Sequence, residues 1–214
     1  MCFLSLTGTR LWYFCFNLFY FVFTNIFSKI KIIYPSLTIF ASILPLYFVA
    51  TSSEYRLSRI ETWLSRKCDL GIDLLGDCFQ LNQSRIAISS GGLFGLGPGT
   101  SRARWGSLPN SYSDFISSII GEEYGFFGLF LLVLAFFILI STTFLIAIRE
   151  KNEIKKLISV GFGSWIFFQT VINLGGAVGI VPITGIVLPF VSYGSSAMIS
   201  IFIALGIMYS RDYE

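Results

Sequence analysis

Histidine is absent from all 214 residues, and only 13% of them are charged. Soluble domains average about 25% charged residues, so no water-soluble core is implied. With no His, proton transfer near neutral pH must use carboxylates, Lys, Tyr, Cys or water. The net charge is only +3 and nothing points to nucleic acid as a partner. What the chain does have is apolar: 54% hydrophobic residues, 23 Phe, and a mean hydropathy of +0.75. The many Phe fit lipid-facing helices.

Five runs carry no Asp, Glu, Lys or Arg: Leu11 to Ser28, Ile32 to Ser53, Gly125 to Ile148, Leu157 to Val181 and Ile186 to Tyr209. A membrane span needs roughly 20 apolar residues at 1.5 Å rise; the first run sits near that limit. The expected fold is an all-α polytopic membrane protein of about five transmembrane helices with one large extracytoplasmic loop containing re-entrant or short helical segments. The expected division is 1–53, two transmembrane segments; 54–123, the loop; and 124–214, three transmembrane helices with a Pro/Gly-broken segment. Arg10 before the first run fits a signal peptide or an anchor, and the lack of a small-residue cleavage site favours a retained anchor.

Orientation follows from Lys and Arg in the short turns. Lys29 and Lys31 flank one turn, and Arg149, Lys151, Lys155 and Lys156 outnumber Glu150 and Glu153 at another. Both should face the cytoplasm, which places the long loop outside. Cys68 and Cys78 fall in that loop, where an oxidising compartment would let them pair, although spacing alone is equally compatible with two free thiols.

Within the loop, five glycines fall between positions 91 and 99. They would let backbone amides approach a ligand, as in phosphate-cradling loops, or form tight turns where a half-inserted helix re-enters the membrane. No Lys-Ser or Lys-Thr follows, so this is not a nucleotide-binding P-loop. Downstream, Pro109-Asn-Ser-Tyr-Ser-Asp114 forms a turn; Ser113 or Asp114 could cap a helix from Phe115, or Asp114 could serve chemistry. Glu122 and Glu123 read as solvated carboxylates at the lipid headgroup level. Gln169 and Asn173, four apart, share a helix face and need buried partners. Pro182 to Gly185 forms an outer turn, and Leu188 to Ser196 re-enters with Pro189 and Gly194 breaking the helix.

These stretches together resemble the FtsW and RodA group of shape, elongation, division and sporulation glycosyltransferases, in the group's C-terminal half. The residues that carry the resemblance are Tyr55-Arg56-Leu-Ser-Arg59, Gln80 to Ser84, the Gly-rich stretch, Leu108-Pro109, Asp114-Phe115-Ile116, Gly121-Glu122-Glu123, Gly125, Gly128, Pro182, Gly185, Leu188-Pro189 and Ser192-Tyr193-Gly194. Gln169 with Ile172-Asn173, and Ile120-Gly121, are closer to the division branch, FtsW.

The resemblance implies an inverting hexosyltransferase that polymerises lipid II into peptidoglycan strands on the outer membrane face during cell division. It carries the role of catalytic base over to Asp114, which would deprotonate an acceptor hydroxyl. A leaving pyrophosphate takes no proton, so one carboxylate suffices where glycosidases use two. Arg85, Arg102 and Arg104 become candidate pyrophosphate contacts, since guanidinium binds phosphate oxygens as a bidentate fork; solvated loop charge is the alternative. Gln83, Ser84, Gly97, Ser192 and Tyr193 are further candidate substrate-binding residues. A divalent cation, Mg or Mn, could share the charge, with no ligands placed by the sequence. Implied partners are lipid II, lipid-pyrophosphate-linked glycan, a class B penicillin-binding transpeptidase and other division proteins, in a bacterial inner membrane or a plastid membrane.

The chain also departs from the group. Members have about ten spans against the five counted here. The usual Pro-Glu-x-His-Thr-Asp-Phe-Ile-Phe is Pro109-Asn-Ser-Tyr-Ser-Asp114-Phe-Ile-Ser, which lacks an acid and a His before Asp114, and Ser195 replaces a usual Gly. A non-catalytic division scaffold and a lipid-linked precursor transporter therefore stand as alternatives; the charge-free spans argue against transport by this half alone.

Overall fold

The computed structural model describes residues 54–65, 68 and 78–209, and the first two apolar runs lie outside them. Every regular element among the described residues is helical: α1 Glu54–Leu64, α2 Phe79–Ser90, a 3-10 turn at Ala103–Trp105, α3 Ile116–Arg149, α4 Glu153–Val178 and α5 Ser195–Tyr209.

Two of these helices are long and apolar enough to cross a membrane, α3 with 34 residues and α4 with 26. They account for the third and fourth apolar runs. In the most apolar window of α3 only 11% of residues are buried within the protein. Phe126, Phe130, Leu131, Phe137 and Ile138 instead face outward, which suits hydrocarbon as the surrounding solvent. The fifth run differs from the expectation. Only Ser195–Tyr209 is helical, and residues 186–194 are irregular, because Pro189 is sealed inside and Phe190 adopts φ 62, which a continuing helix cannot contain.

The chain forms two compact units. One comprises Ala50–Ala135 with Gln169–Tyr193; the other contains Phe136–Phe168 and the chain from Gly194 onward. In the second unit Gly163 lets α4 approach α3 closely, since a Cβ there would stand 3.3 Å from Thr143 and 3.4 Å from Phe144. Thr143 is buried at this contact and donates its hydroxyl proton to Leu139 O at 2.7 Å. Asn152 caps α4, its Oδ1 accepting from Ile154 N at 3.0 Å and Lys155 N at 3.4 Å.

The first unit is built around Ala87, Ala103, Leu108, Phe115, Ile119 and Ala177. Leu81, Ser84 and Ala87 are three apart and form the buried face of α2. Ser84 gives its one proton to Ala177 O at 2.6 Å and accepts from Ser118 Oγ at 2.7 Å, pinning α2 to α4 and α3. Cys68 and Cys78 are disulfide-bonded, with Cα atoms 5.3 Å apart, at the entrance to α2.

α3 is broken at Gly125, where φ is 66 and ψ is −160. An unbroken helix would donate Phe126 N to Glu122 O and Phe127 N to Glu123 O. Here those partners are exchanged with the Gly-rich segment. Leu96 N donates to Glu122 O and Gly97 N to Glu123 O, both at 3.0 Å, while Phe126 N donates to Gly92 O at 2.9 Å and Phe127 N to Leu93 O at 3.2 Å. The approach is backbone on backbone: a Cβ on Gly95 would meet Glu123 O at 2.1 Å, and one on Gly91 would meet Gly121 O at 1.9 Å. The Leu96 and Gly97 amides are therefore engaged within the protein and do not cradle a phosphate.

Candidate functional site

Asp114 ends a turn that starts at Asn110, a residue suited to the left-handed φ of 55 found there. Asn110 O accepts from Asp114 N at 3.0 Å and from Ser113 N at 3.2 Å. The next residue, Phe115, is buried and its carbonyl already accepts from Ser118 N at 3.0 Å, so α3 starts immediately behind the acid.

Three polar side chains then fix that turn from α4 and the irregular 182–193 segment. Asn173 Nδ2 donates to Asp114 O at 3.0 Å and to Ile186 O at 2.7 Å. One turn earlier, Gln169 Nε2 donates to Val187 O at 2.9 Å. Ser192 donates to Ser113 O at 2.6 Å and accepts from Leu188 N at 2.8 Å, and Tyr193 N reaches Tyr112 O at 3.0 Å. The shared face of Gln169 and Asn173 thus finds its partners in main-chain carbonyls of irregular backbone. A small cavity opens beside this clamp, bordered by Asp114, Asn173, Gly176, Ile183, Thr184 and Gly185. Asp114 Oδ2 would lie 3.5 Å from a Cβ on Gly185, so the carboxylate faces the Pro182–Gly185 turn.

The other candidates separate by environment. Ser84 and Ser192 are buried, with hydroxyls committed to the packing described, so they act as scaffold rather than as groups facing a ligand. Gln83 is half-buried beside Ser84 on α2. Gly97 serves the α3 exchange, whereas Tyr193 is 83% exposed. Arg85 Nε donates to Val178 O at 3.0 Å at the C-terminal end of α4, and its guanidinium lies over Gly179, where any Cβ would stand 2.5 Å from it. It therefore complements that helix terminus. Arg102 and Arg104 flank Ala103 on the 3-10 turn; Arg104 lies 3.9 Å from Glu123 and 5.8 Å from the centre of the Trp105 ring.

Glu122 corrects the expectation of a solvated headgroup-level carboxylate. It is 2% exposed and binds the base of the arginine turn: Ser101 Oγ donates to Oε2 at 2.6 Å, Ala103 N to Oε2 at 3.1 Å, and Arg102 N to Oε1 at 3.1 Å. Glu123 is also buried, against Arg104. Among the described residues, no group of three or more His, Cys, Asp or Glu side chains converges to hold a metal. Both Glu122 oxygens are already engaged by protein donors.

A family model described as "Cell cycle protein", for FtsW, RodA and SpoVE, matches residues 7–214. The chain belongs to the FtsW/RodA/SpoVE family. The match starts well before Glu54, where the recognisable motifs begin. A Wigglesworthia glossinidia brevipalpis protein named "Probable peptidoglycan glycosyltransferase FtsW" is 37% identical over 175 residues, 80% of this chain and 45% of that protein. "Stage V sporulation protein E" of Bacillus subtilis (strain 168) is 40% identical over 165 residues, 75% of this chain and 44% of that one. A solved structure described as "Structural coordination of polymerization and crosslinking by a peptidoglycan synthase complex" superposes with a TM-score of 0.54 at 26% identity, over 81% of this chain and 46% of the solved one. The chain thus spans less than half the length of these relatives.

Proposed function

We propose that this FtsW/RodA/SpoVE-family chain carries the base-bearing part of a peptidoglycan glycosyltransferase that polymerises lipid II in a bacterial inner membrane. The observation that carries the reading is the clamped turn that holds Asp114 at the edge of a cavity. Asp114 accepts the proton of an acceptor sugar hydroxyl as that oxygen bonds to the donor's anomeric carbon. The anomeric C–O bond breaks on the opposite side, and the electron pair leaves with the lipid pyrophosphate. This single displacement inverts the anomeric centre, and Arg102 and Arg104 offset the developing pyrophosphate charge. The complex that coordinates polymerization with crosslinking supports a class B penicillin-binding transpeptidase as partner.

The test is Asp114→Asn in the complete complex supplied with lipid II. Asn keeps the main-chain contacts and the turn preference, so melting should be unchanged, while polymerisation should fall by about 10² to 10⁴. Undiminished polymerisation would remove the base assignment and favour a division scaffold.

A further inference from the structure

Glu122 is sealed from solvent yet has three donors, two of them successive main-chain amides of the turn that bears Arg102 and Arg104. A third amide, Arg104 N, reaches Ser101 Oγ at 3.2 Å, and that hydroxyl itself donates to Glu122. The amides of residues 102, 103 and 104 thus converge on one carboxylate and its hydroxyl relay. Burying a carboxylate is costly unless it is fully hydrogen-bonded, and a neutral amide could not accept from all three donors. A turn that needed only packing could be closed by uncharged groups.

The anchoring runs through the backbone, which leaves both guanidinium groups outside the bond network that fixes them. Ser107 Oγ donates to Arg102 O at 2.9 Å, and Trp105 Nε1 to Gly99 O at 3.4 Å, bracing the same turn. Arg102 is exposed, and the contact of Arg104 with Glu123 at 3.9 Å is too long for a hydrogen bond, so a polyanion can displace it. Guanidinium positions matter because a two-pronged phosphate contact tolerates little displacement.

We propose that Glu122 is a positioning residue for pyrophosphate capture, acting through the Ser101–Arg104 turn to hold Arg102 and Arg104 against the diphosphate of a polyprenyl-linked substrate. The proposal rests on the lipid II reading above for the identity of that substrate. The buried carboxylate never touches the ligand; it sets the backbone from which the two cations project.

The test uses the intact complex and farnesyl pyrophosphate as probe, with farnesyl monophosphate as the comparison. Glu122→Gln should weaken pyrophosphate binding about tenfold or more, and monophosphate binding less. The combination of Glu122→Gln with Arg102→Ala and Arg104→Ala should bind no more weakly than the arginine pair alone, since Glu122 acts through them. Multiplied losses, or affinity unchanged by Glu122→Gln, would overturn the proposal. Should Glu122→Gln fail to assemble, Ser101→Ala breaks the same relay more mildly and should weaken binding about threefold; no change there would overturn it equally. Probe binding needs no proton transfer, so farnesyl pyrophosphate affinity reads the arginine turn, and polymerisation in Asp114→Asn reads the base. Failure of the base assignment and failure of this one are thereby read separately.

Discussion

The side-chain amide of Asn173 bridges two main-chain carbonyls, Asp114 O at 3.0 Å and Ile186 O at 2.7 Å, and so joins α4 to both irregular segments around the cavity. Both carbonyls lie in partly buried irregular backbone, where an acceptor without a donor is costly. Asn173→Ala should destabilise this unit by about 1–3 kcal/mol. Asn173→Asp should do worse, because it sets an anion against two carbonyl oxygens. Melting of the complex and lipid II polymerisation should fall together in both variants, in contrast to the activity-only loss expected for Asp114→Asn.

Gly125 occupies a conformation open essentially to glycine alone, and a Cβ there would stand 2.4 Å from Gly95 N. Gly125→Ala should cost at least about 1–3 kcal/mol from the backbone alone. Amide hydrogen exchange should accelerate at Leu96 and Gly97, which lose their acceptors Glu122 O and Glu123 O. Gly206, on α5, has nothing within 4 Å of its would-be Cβ. Gly206→Ala should leave both measurements unchanged or raise stability by up to about 1 kcal/mol.

The basic turn between α3 and α4 and the turn bearing Asp114 should lie on opposite sides of the membrane. In a background lacking Cys2 and Cys15, an impermeant thiol reagent should label Ser107→Cys in intact cells and should label Lys151→Cys only after lysis. Labelling of Lys151→Cys alone in intact cells would invert the topology.

The bridge between Cys68 and Cys78 closes a short loop across a sequence separation of 10 at the start of α2. In the chain-entropy picture such a closure contributes roughly 3 kcal/mol. Cys68→Ser with Cys78→Ser should lower the melting temperature of the complex, and peptide mapping without reductant should recover the linked pair from native membranes.

The two long apolar helices α3 and α4 could be read from the sequence because long uncharged runs have few other homes, and the shared face of Gln169 and Asn173 follows from helical periodicity. Their acceptors could not be read. Val187 O, Ile186 O and Asp114 O belong to irregular backbone, whose path no residue pattern specifies. Glu122 departs from its expected interfacial setting for a related reason: beside Glu123 and just before an apolar run it has the local appearance of an interfacial acid, while the donors that bury it lie some twenty residues upstream at Ser101–Ala103. A signal for the α3 exchange was present in the matched four-residue spacings Gly91–Gly95 and Gly121–Gly125, which mark two backbones in contact. The spacing of Cys68 and Cys78 allowed either pairing or free thiols, and only three-dimensional geometry decides between them.

Two segments that trade two hydrogen bonds each can meet in a single alignment. Sliding 92–97 by one residue along 122–127 would put a side chain where only a hydrogen fits. Chain length is therefore fixed inside those two hexapeptides. A residue inserted between Gly92 and Gly97 should unseat the start of the membrane helix.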